Sequence, residues 1–263
     1  MSADPERRPA TRRRLLLGAL ALAGGYGLLR GGASLIGWRT GAALAFAPMD
    51  RPEGFRRLVA GPVSAGTAAG DPFAGIGAEA PAPPAAFEGE LCEALFEGRA
   101  GTDGLVPIAS FSDYNCPYCR VLTRRLAARA AADEGVAVTW HELPLLGIGS
   151  RDAARAAVAA ERQGAYVAFH ERLMRSSFQP TEAYLRALAA DLGLDAERLL
   201  RDMDSEGTAR RIATSEALGR LLDLIGTPAL VVGRTVVQGV PDEGAIDALI
   251  ALERAAGPVP GCT

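Results

Sequence analysis

The sequence predicts an α/β domain in which a sheet is interrupted by an inserted block of helices. Three observations support this fold class: a strand–helix–strand pattern near the middle of the chain, an alanine-rich stretch with helical periodicity over about residues 150–224, and a pair of short apolar runs after that stretch. With 263 residues and 49% hydrophobic content, the chain can bury a core of this size.

The strand–helix–strand unit comes first in the predicted domain. Leu105 to Phe111 is an apolar run expected to form a buried strand, Cys119 to Ala132 is an arginine-rich amphipathic helix, and Val136 to Trp140 is a second strand. Two strands joined through a helix are typical of a parallel crossover.

The helical insertion is predicted from its periodicity and from helix-start residues such as Ser150, Thr181 and Asp195. Its five expected helices cover Ser150–Gln163, Ala165–Arg175, Thr181–Leu192, Asp195–Asp204 and Glu206–Leu224.

The sheet is expected to resume after the insertion. Gly233-Arg234 lies between two short apolar runs and predicts a hairpin with a two-residue turn. The hairpin strands are Ala229–Val232 and Thr235–Gln238, and Asp242–Arg254 is a closing helix.

Two cysteines separated by two residues, Cys116-Pro117-Tyr118-Cys119, stand at the start of the first predicted helix. A thiol at a helix start meets unpaired backbone N–H groups and the positive end of the helix dipole, both of which favour the thiolate. Cys116 is therefore the expected nucleophile and Cys119 the resolving thiol. Pro117 suits the first helical position, and Tyr118 is expected to shape the substrate surface.

Composition excludes two enzyme classes. All 28 basic residues are Arg, so no Schiff-base lysine or phosphate-loop lysine is available. Six of the arginines lie in residues 1–30 with two acids; the remaining 233 residues hold 22 Arg and 29 acids, a net charge of about −7. This balance gives no reason to expect a nucleic-acid partner.

The N-terminal 38 residues have the layout of an export signal or membrane anchor. Five arginines between Arg7 and Arg14 precede the apolar run Leu15 to Leu29. This run is shorter than the roughly 20 residues of a membrane span, and residues 31–38 would lengthen it sufficiently past one further charge, Arg30. Cleavage of a signal and retention as an anchor are both open. In either case the arginines favour the cytoplasmic side, which places the rest of the chain in the periplasm or another extracytoplasmic space.

The remaining boundaries follow from composition. Residues 39–86 are rich in Gly, Pro and Ala and are expected to form a semi-rigid linker, although Phe46 and Phe55 would allow part of it to dock. The folded domain is expected over residues 87–256, with a C-terminal tail at 257–263. Cys92 and Cys262 lie outside the paired motif, and the sequence leaves open whether they form a disulfide.

Four ordered motifs resemble the DsbA family of thioredoxin-fold disulfide oxidoreductases. They are Asp113–Cys119, Glu142–Gly147, Ala168–Met174 and Gly226–Val232. The resemblance covers about residues 105–252. It implies a thioredoxin fold with an inserted helical subdomain, and a redox-active disulfide as the only reactive group, with no flavin, nicotinamide or metal.

The resemblance also implies a cis-proline loop. Thr227-Pro228 stands where this family places a cis-proline beside the first cysteine, and there the peptide groups of Thr227 would pair with an extended substrate. The implied reaction is oxidation of cysteine pairs in exported proteins by thiol–disulfide exchange, with a membrane partner that reoxidises the enzyme.

One position departs from the resemblance. Thioredoxin-fold proteins often carry a carboxylate six residues before the first cysteine, and here that residue is Ser110. Glu142 is a candidate replacement, but we expect it to be a solvated charge at a strand end. His141 and His170 are expected to be packed residues rather than catalysts. Trp140 is expected to pack in the core.

Three other functions remain open at this stage. Pro-Tyr is also the glutaredoxin dipeptide, so a reductase or isomerase is an alternative to an oxidase. A four-thiolate zinc site would join Cys116 and Cys119 to Cys92 and Cys262. A redox-inert binding or chaperone module is the third alternative.

Overall fold

The computed structural model describes residues 44–59, 63–64, 90–102, 104–177, 179–259 and 261–262. The predicted signal or anchor at 1–38 and most of the predicted linker lie outside these residues. From Ala45 onward the described residues form one compact unit. Within them, no helix is long and apolar enough to cross a bilayer.

A mixed sheet forms the centre of the described chain, with the strand order β1-β2-β6-β5-β3-β4. The strands are β1 (Ala47–Pro48), β2 (Arg56–Val59), β3 (Val106–Ser112), β4 (Val136–Glu142), β5 (Ala229–Val232) and β6 (Thr235–Gln238). The pairs β2–β6 and β3–β4 are parallel, and the other neighbours are antiparallel. Every residue of β3 is buried, because this strand lies inside the sheet and helices pack against it.

Helices surround this sheet. They are α1 (Leu91–Phe96), α2 (Pro117–Ala132), α3 (Ile148–Glu161), α4 (Tyr166–Arg175), α5 (Glu182–Asp191), α6 (Ala196–Met203), α7 (Glu206–Leu221) and α8 (Glu243–Ala256), with a short 3₁₀ turn at Arg99–Gly101. The five helices α3 to α7 form the predicted insertion between β4 and β5. The thioredoxin fold with an inserted helical subdomain is confirmed.

Local sequence signals explain several of these boundaries. Thr181 and Asp195 cap α5 and α6 by accepting hydrogen bonds from backbone N–H groups one turn into each helix. Ser150, by contrast, lies inside α3, which begins two residues earlier at Ile148. The hairpin has the predicted strand bounds, and Gly233 in its turn has φ of +53°, a left-handed conformation that glycine adopts without strain.

The predicted linker at 39–86 needs a correction in its first half. Strands β1 and β2 lie within it, and β2 pairs in parallel with β6, so the folded domain begins well before residue 87. Phe55 and Leu58 are buried, and Arg56 donates to Glu253 of α8 at 2.6 Å. The Gly/Pro-rich composition predicted a spacer because the apolar residues that bury this strand are few and widely separated.

Cys92 and Cys262 form a disulfide, which answers the question that the sequence left open. Their Cα atoms are 5.2 Å apart. The bond joins α1 to the C-terminal tail, where Val259 is also buried. The four-thiolate zinc site is therefore contradicted, because neither of these cysteines offers a thiolate. In the described part of the chain, no group of three or more His, Cys, Asp and Glu side chains is placed to hold a metal ion.

Candidate active site

Cys116 is the N-cap residue of α2, and Pro117 occupies the first helical position. Three residues after β3 the chain turns into this helix, which directs the N–H group of Cys119 at the Cys116 sulfur over 3.3 Å. Both cysteines are free thiols and both are buried. The helix starts two residues earlier than predicted, so Cys119 lies within its first turn.

The two thiols have opposite acidities. The pKa of Cys116 is lowered from 9.0 to about 6, chiefly by the hydrogen bond from the Cys119 side chain and also by one from the Ser64 side chain, while burial opposes the shift. Burial raises the pKa of Cys119 well above 9.0. The site therefore holds Cys116 as a thiolate at neutral pH and Cys119 as a protonated thiol.

The loop before β5 closes the other side of the sulfur. The Thr227–Pro228 peptide bond is cis, and the carbonyl oxygen of Thr227 lies 3.3 Å from the Cys116 sulfur. Residues separated by 111 positions in sequence are thus in contact. Tyr118 is 38% exposed at the start of the helix beside them.

Ser64 also lies at this site. Its N–H group donates to Thr227 O at 2.7 Å, and its carbonyl oxygen accepts from Thr227 N at 2.8 Å, which forms an isolated antiparallel bridge. Sequence reasoning assigned no role to Ser64, because a single serine in a Gly/Ala-rich stretch carries no periodic or motif signal.

Asp113 organises the loop that presents Cys116. One carboxylate oxygen accepts from Asn115 N–H at 2.7 Å and from the Ser150 hydroxyl at 2.5 Å, and the other accepts from two backbone N–H groups after β4. The carboxylate thereby joins the β3–α2 loop, the β4 exit and the start of α3. An Asp between a strand end and a helix start is the sequence signal for such a turn.

The expectation that Glu142 is solvated was wrong. Its side chain is 2% exposed, and its Oε1 atom accepts from the hydroxyls of Tyr114 and Tyr166, each at 2.6 Å. His170 lies 3.4 Å from the same oxygen, and Tyr114 lies 2.7 Å from His170. These partners come from the active-site loop and from α4, so their convergence on the end of β4 depends on the tertiary fold.

The histidines are packed residues, as expected. His141 is buried against Phe111 and lies 3.0 Å from the carbonyl oxygen of Leu95. Burial lowers the pKa of His141 to about 4, so the ring is neutral at pH 7. His170 is fully buried, and Trp140 packs against it in the core. Ser110 is buried in β3, so the position that holds a carboxylate in many thioredoxin-fold proteins holds a hydroxyl here.

The fold and this pair of cysteines define a thiol–disulfide oxidoreductase with the thioredoxin fold. Residues 107–251, more than half of the chain, match the family model of the DSBA-like thioredoxin domain. The chain belongs to that family.

Several solved structures are similar to the chain. A thioredoxin-like oxidoreductase from Silicibacter pomeroyi is 37% identical, with a TM-score of 0.57 over 62% of this chain and 97% of that one. A periplasmic thioredoxin-like protein from Salmonella enterica is 28% identical, with a TM-score of 0.54 over 64% and 98%. BdbD from Bacillus subtilis is 26% identical, with a TM-score of 0.53 over 60% and 94%.

Among curated proteins, the chain matches Na(+)/H(+) antiporter NhaA 3 of Salinispora tropica at 29% identity over 136 residues. The match covers 51% of this chain and 21% of the antiporter. The similarity is therefore to about a fifth of that protein's length.

Proposed function

We propose that this chain oxidises cysteine pairs in exported proteins through a Cys116–Cys119 disulfide. The observation that carries the proposal is the low pKa of Cys116, held at a helix N-terminus against the loop of Thr227. A stable thiolate is a good leaving group and stabilises the reduced enzyme, and both effects favour transfer of a disulfide to the substrate.

The reaction is two successive exchanges. A substrate thiolate attacks the Cys116 sulfur of the oxidised enzyme, a mixed disulfide forms there, and Cys119 leaves and takes a proton. The second substrate thiolate then attacks the substrate sulfur of the mixed disulfide, and Cys116 leaves as a thiolate. The substrate loses two electrons as its disulfide forms, and the enzyme gains them as two reduced cysteines.

The substrate would bind as an extended peptide. The backbone N–H and carbonyl oxygen of Thr227 pair with Ser64 beside Cys116, and this pairing supports main-chain binding of a substrate at the same groups. Main-chain pairing of this kind accepts many sequences, because it uses groups that every residue carries. The exposed Tyr118 ring adds apolar contact at the edge of the site.

The cellular setting is part of the proposal. The arginine-rich start and apolar run of residues 1–38 support export, with anchoring through residues 15–38 as one form of it. The similarity to a periplasmic thioredoxin-like protein supports the same compartment. The Cys92–Cys262 disulfide also suits an oxidising space. A membrane oxidant would then restore the Cys116–Cys119 disulfide, with no flavin or metal bound to this chain.

Cysteine variants test the assignment of the two thiols. Cys116→Ala is expected to abolish exchange with a reduced protein substrate, whereas Cys119→Ala is expected to accumulate mixed disulfides at Cys116. A Cys92→Ala/Cys262→Ala double variant is the control, because it removes the disulfide outside the motif and leaves both thiols of the motif in place. Exchange by Cys116→Ala at the wild-type rate would refute the proposal, and the absence of exchange in both proteins would favour a redox-inert binding module.

A further inference from the structure

The bridge between Ser64 and Thr227 fills the space that the proposed function reserves for substrate. Both backbone polar groups of Thr227 that face this space are paired with Ser64, at 2.7 and 2.8 Å. The Ser64 side chain forms a hydrogen bond with the Cys116 side chain. With Ser64 in place, Cys116 and Thr227 both have 0% exposed surface.

We propose that Ser64 occupies the position of the substrate cysteine, so that this chain carries an internal copy of its own bound substrate strand. The inference rests on the proposed function. A substrate peptide at this loop needs two main-chain hydrogen bonds to Thr227 and a sulfur next to Cys116. Ser64 supplies both hydrogen bonds, and its side chain differs from that of cysteine only by oxygen in place of sulfur.

This arrangement makes Ser64 a competitor that cannot react. A hydroxyl does not form a disulfide, so Ser64 occupies the site without reacting with Cys116. Because Ser64 belongs to the same chain, it competes at the high effective concentration of a tethered ligand. A substrate thiol reaches the buried Cys116 sulfur only after Ser64 leaves, so the apparent affinity for substrate is reduced by the fraction of molecules in which the site is free.

The internal strand also defines how a substrate binds. The bridge is antiparallel and places one residue directly opposite Thr227, so we assign that register to the substrate cysteine. Neighbouring residues in an extended strand point to opposite sides, so the side chain of position 63 is directed away from the side that Ser64 presents to Cys116.

Disulfide trapping tests the position directly. Ser64→Cys in a Cys119→Ser background is incubated with glutathione disulfide, which accepts two electrons and leaves as two glutathione molecules when a bond forms between position 64 and Cys116. We expect this intramolecular disulfide as the main product, identified by peptide mapping without reduction. Val63→Cys in the same background is the matched control and is expected to give chiefly the glutathione adduct of Cys116. Equal trapping at positions 63 and 64, or none at 64, would overturn the proposal.

A second variant tests the competition. Ser64→Pro removes the N–H group that donates a hydrogen bond to Thr227 O. The variant is expected to lower the KM for a reduced cysteine peptide at least about threefold, with Val63→Ala as the control. An unchanged KM would show that the segment does not compete and would overturn the inference. If neither the wild type nor Ser64→Pro catalysed exchange, the proposed function would be refuted instead. The trapping experiment would still report on the position of Ser64.

Discussion

The acidity of Cys116 provides the most quantitative prediction from the site. Lowering its pKa from 9.0 to about 6 is equivalent to about 4 kcal/mol of preferential stabilisation of the thiolate, at 1.36 kcal/mol for each factor of ten. At pH 7 about 90% of Cys116 is then ionised, compared with about 1% for an unperturbed thiol. The largest cause is the hydrogen bond from the Cys119 side chain. Cys119→Ala therefore raises the pKa of Cys116, whereas Cys119→Ser retains a hydroxyl donor and shifts it less.

The ultraviolet absorbance of the thiolate measures this ionisation without requiring access of a reagent to the buried sulfur. The titration is performed on each reduced protein, with the corresponding Cys116→Ala variant as the baseline. We expect a midpoint near pH 6 for the wild type, a clearly higher midpoint for Cys119→Ala and an intermediate one for Cys119→Ser. A wild-type midpoint near pH 9 would refute the stabilised thiolate. Identical midpoints in the wild type and Cys119→Ala would refute Cys119 as the principal donor.

Three further predictions concern stability and can be checked by urea unfolding. Folding lowers the pKa of Cys116, so the stabilising contribution of its thiolate is present above pH 9 and is lost as the pH falls from about 9 to about 6. The reduced protein is therefore expected to lose up to about 4 kcal/mol of unfolding free energy over this window, whereas the oxidised protein is not. Parallel pH dependence of the two forms would contradict this. Glu142→Ala removes the carboxylate that accepts from the buried Tyr114 hydroxyl and the part-buried Tyr166 hydroxyl, and it is expected to cost about 2–5 kcal/mol. Glu171→Ala, whose side chain is 32% exposed, is expected to cost less than about 1 kcal/mol, and similar costs for the two variants would argue against the buried network. Removing the Cys92–Cys262 disulfide, which spans 170 positions, is expected to cost about 2–5 kcal/mol through the greater entropy of the unfolded chain, and an unchanged unfolding midpoint would contradict that reasoning.

The sequence predicted the parts of the fold that depend on local signals. The strand–helix–strand unit, the five inserted helices and the hairpin follow from periodicity, capping residues and a Gly-containing turn, and the structure shifts most of their ends by one to three residues. The position of Cys116 at a helix N-terminus was predictable for the same reason, because Pro117 and the amphipathic pattern after it mark the helix start.

Contacts between distant segments could not be predicted in this way. Strand β2 is held by β6, about 180 residues away, and its own sequence is too short to show a strand pattern. Glu142 was misinterpreted because Tyr114, Tyr166 and His170 converge on it only in the folded chain. The same applies to Ser64, whose importance comes entirely from its two hydrogen bonds with Thr227.

The reduction potential of the Cys116–Cys119 pair, measured against glutathione at pH 7, tests the central claim most directly. Ionisation of Cys116 stabilises the reduced form, so the account predicts a potential above the value of about −270 mV that characterises thioredoxin, a reductant. A potential at or below that value would contradict the assignment as an oxidase and would favour a reductase.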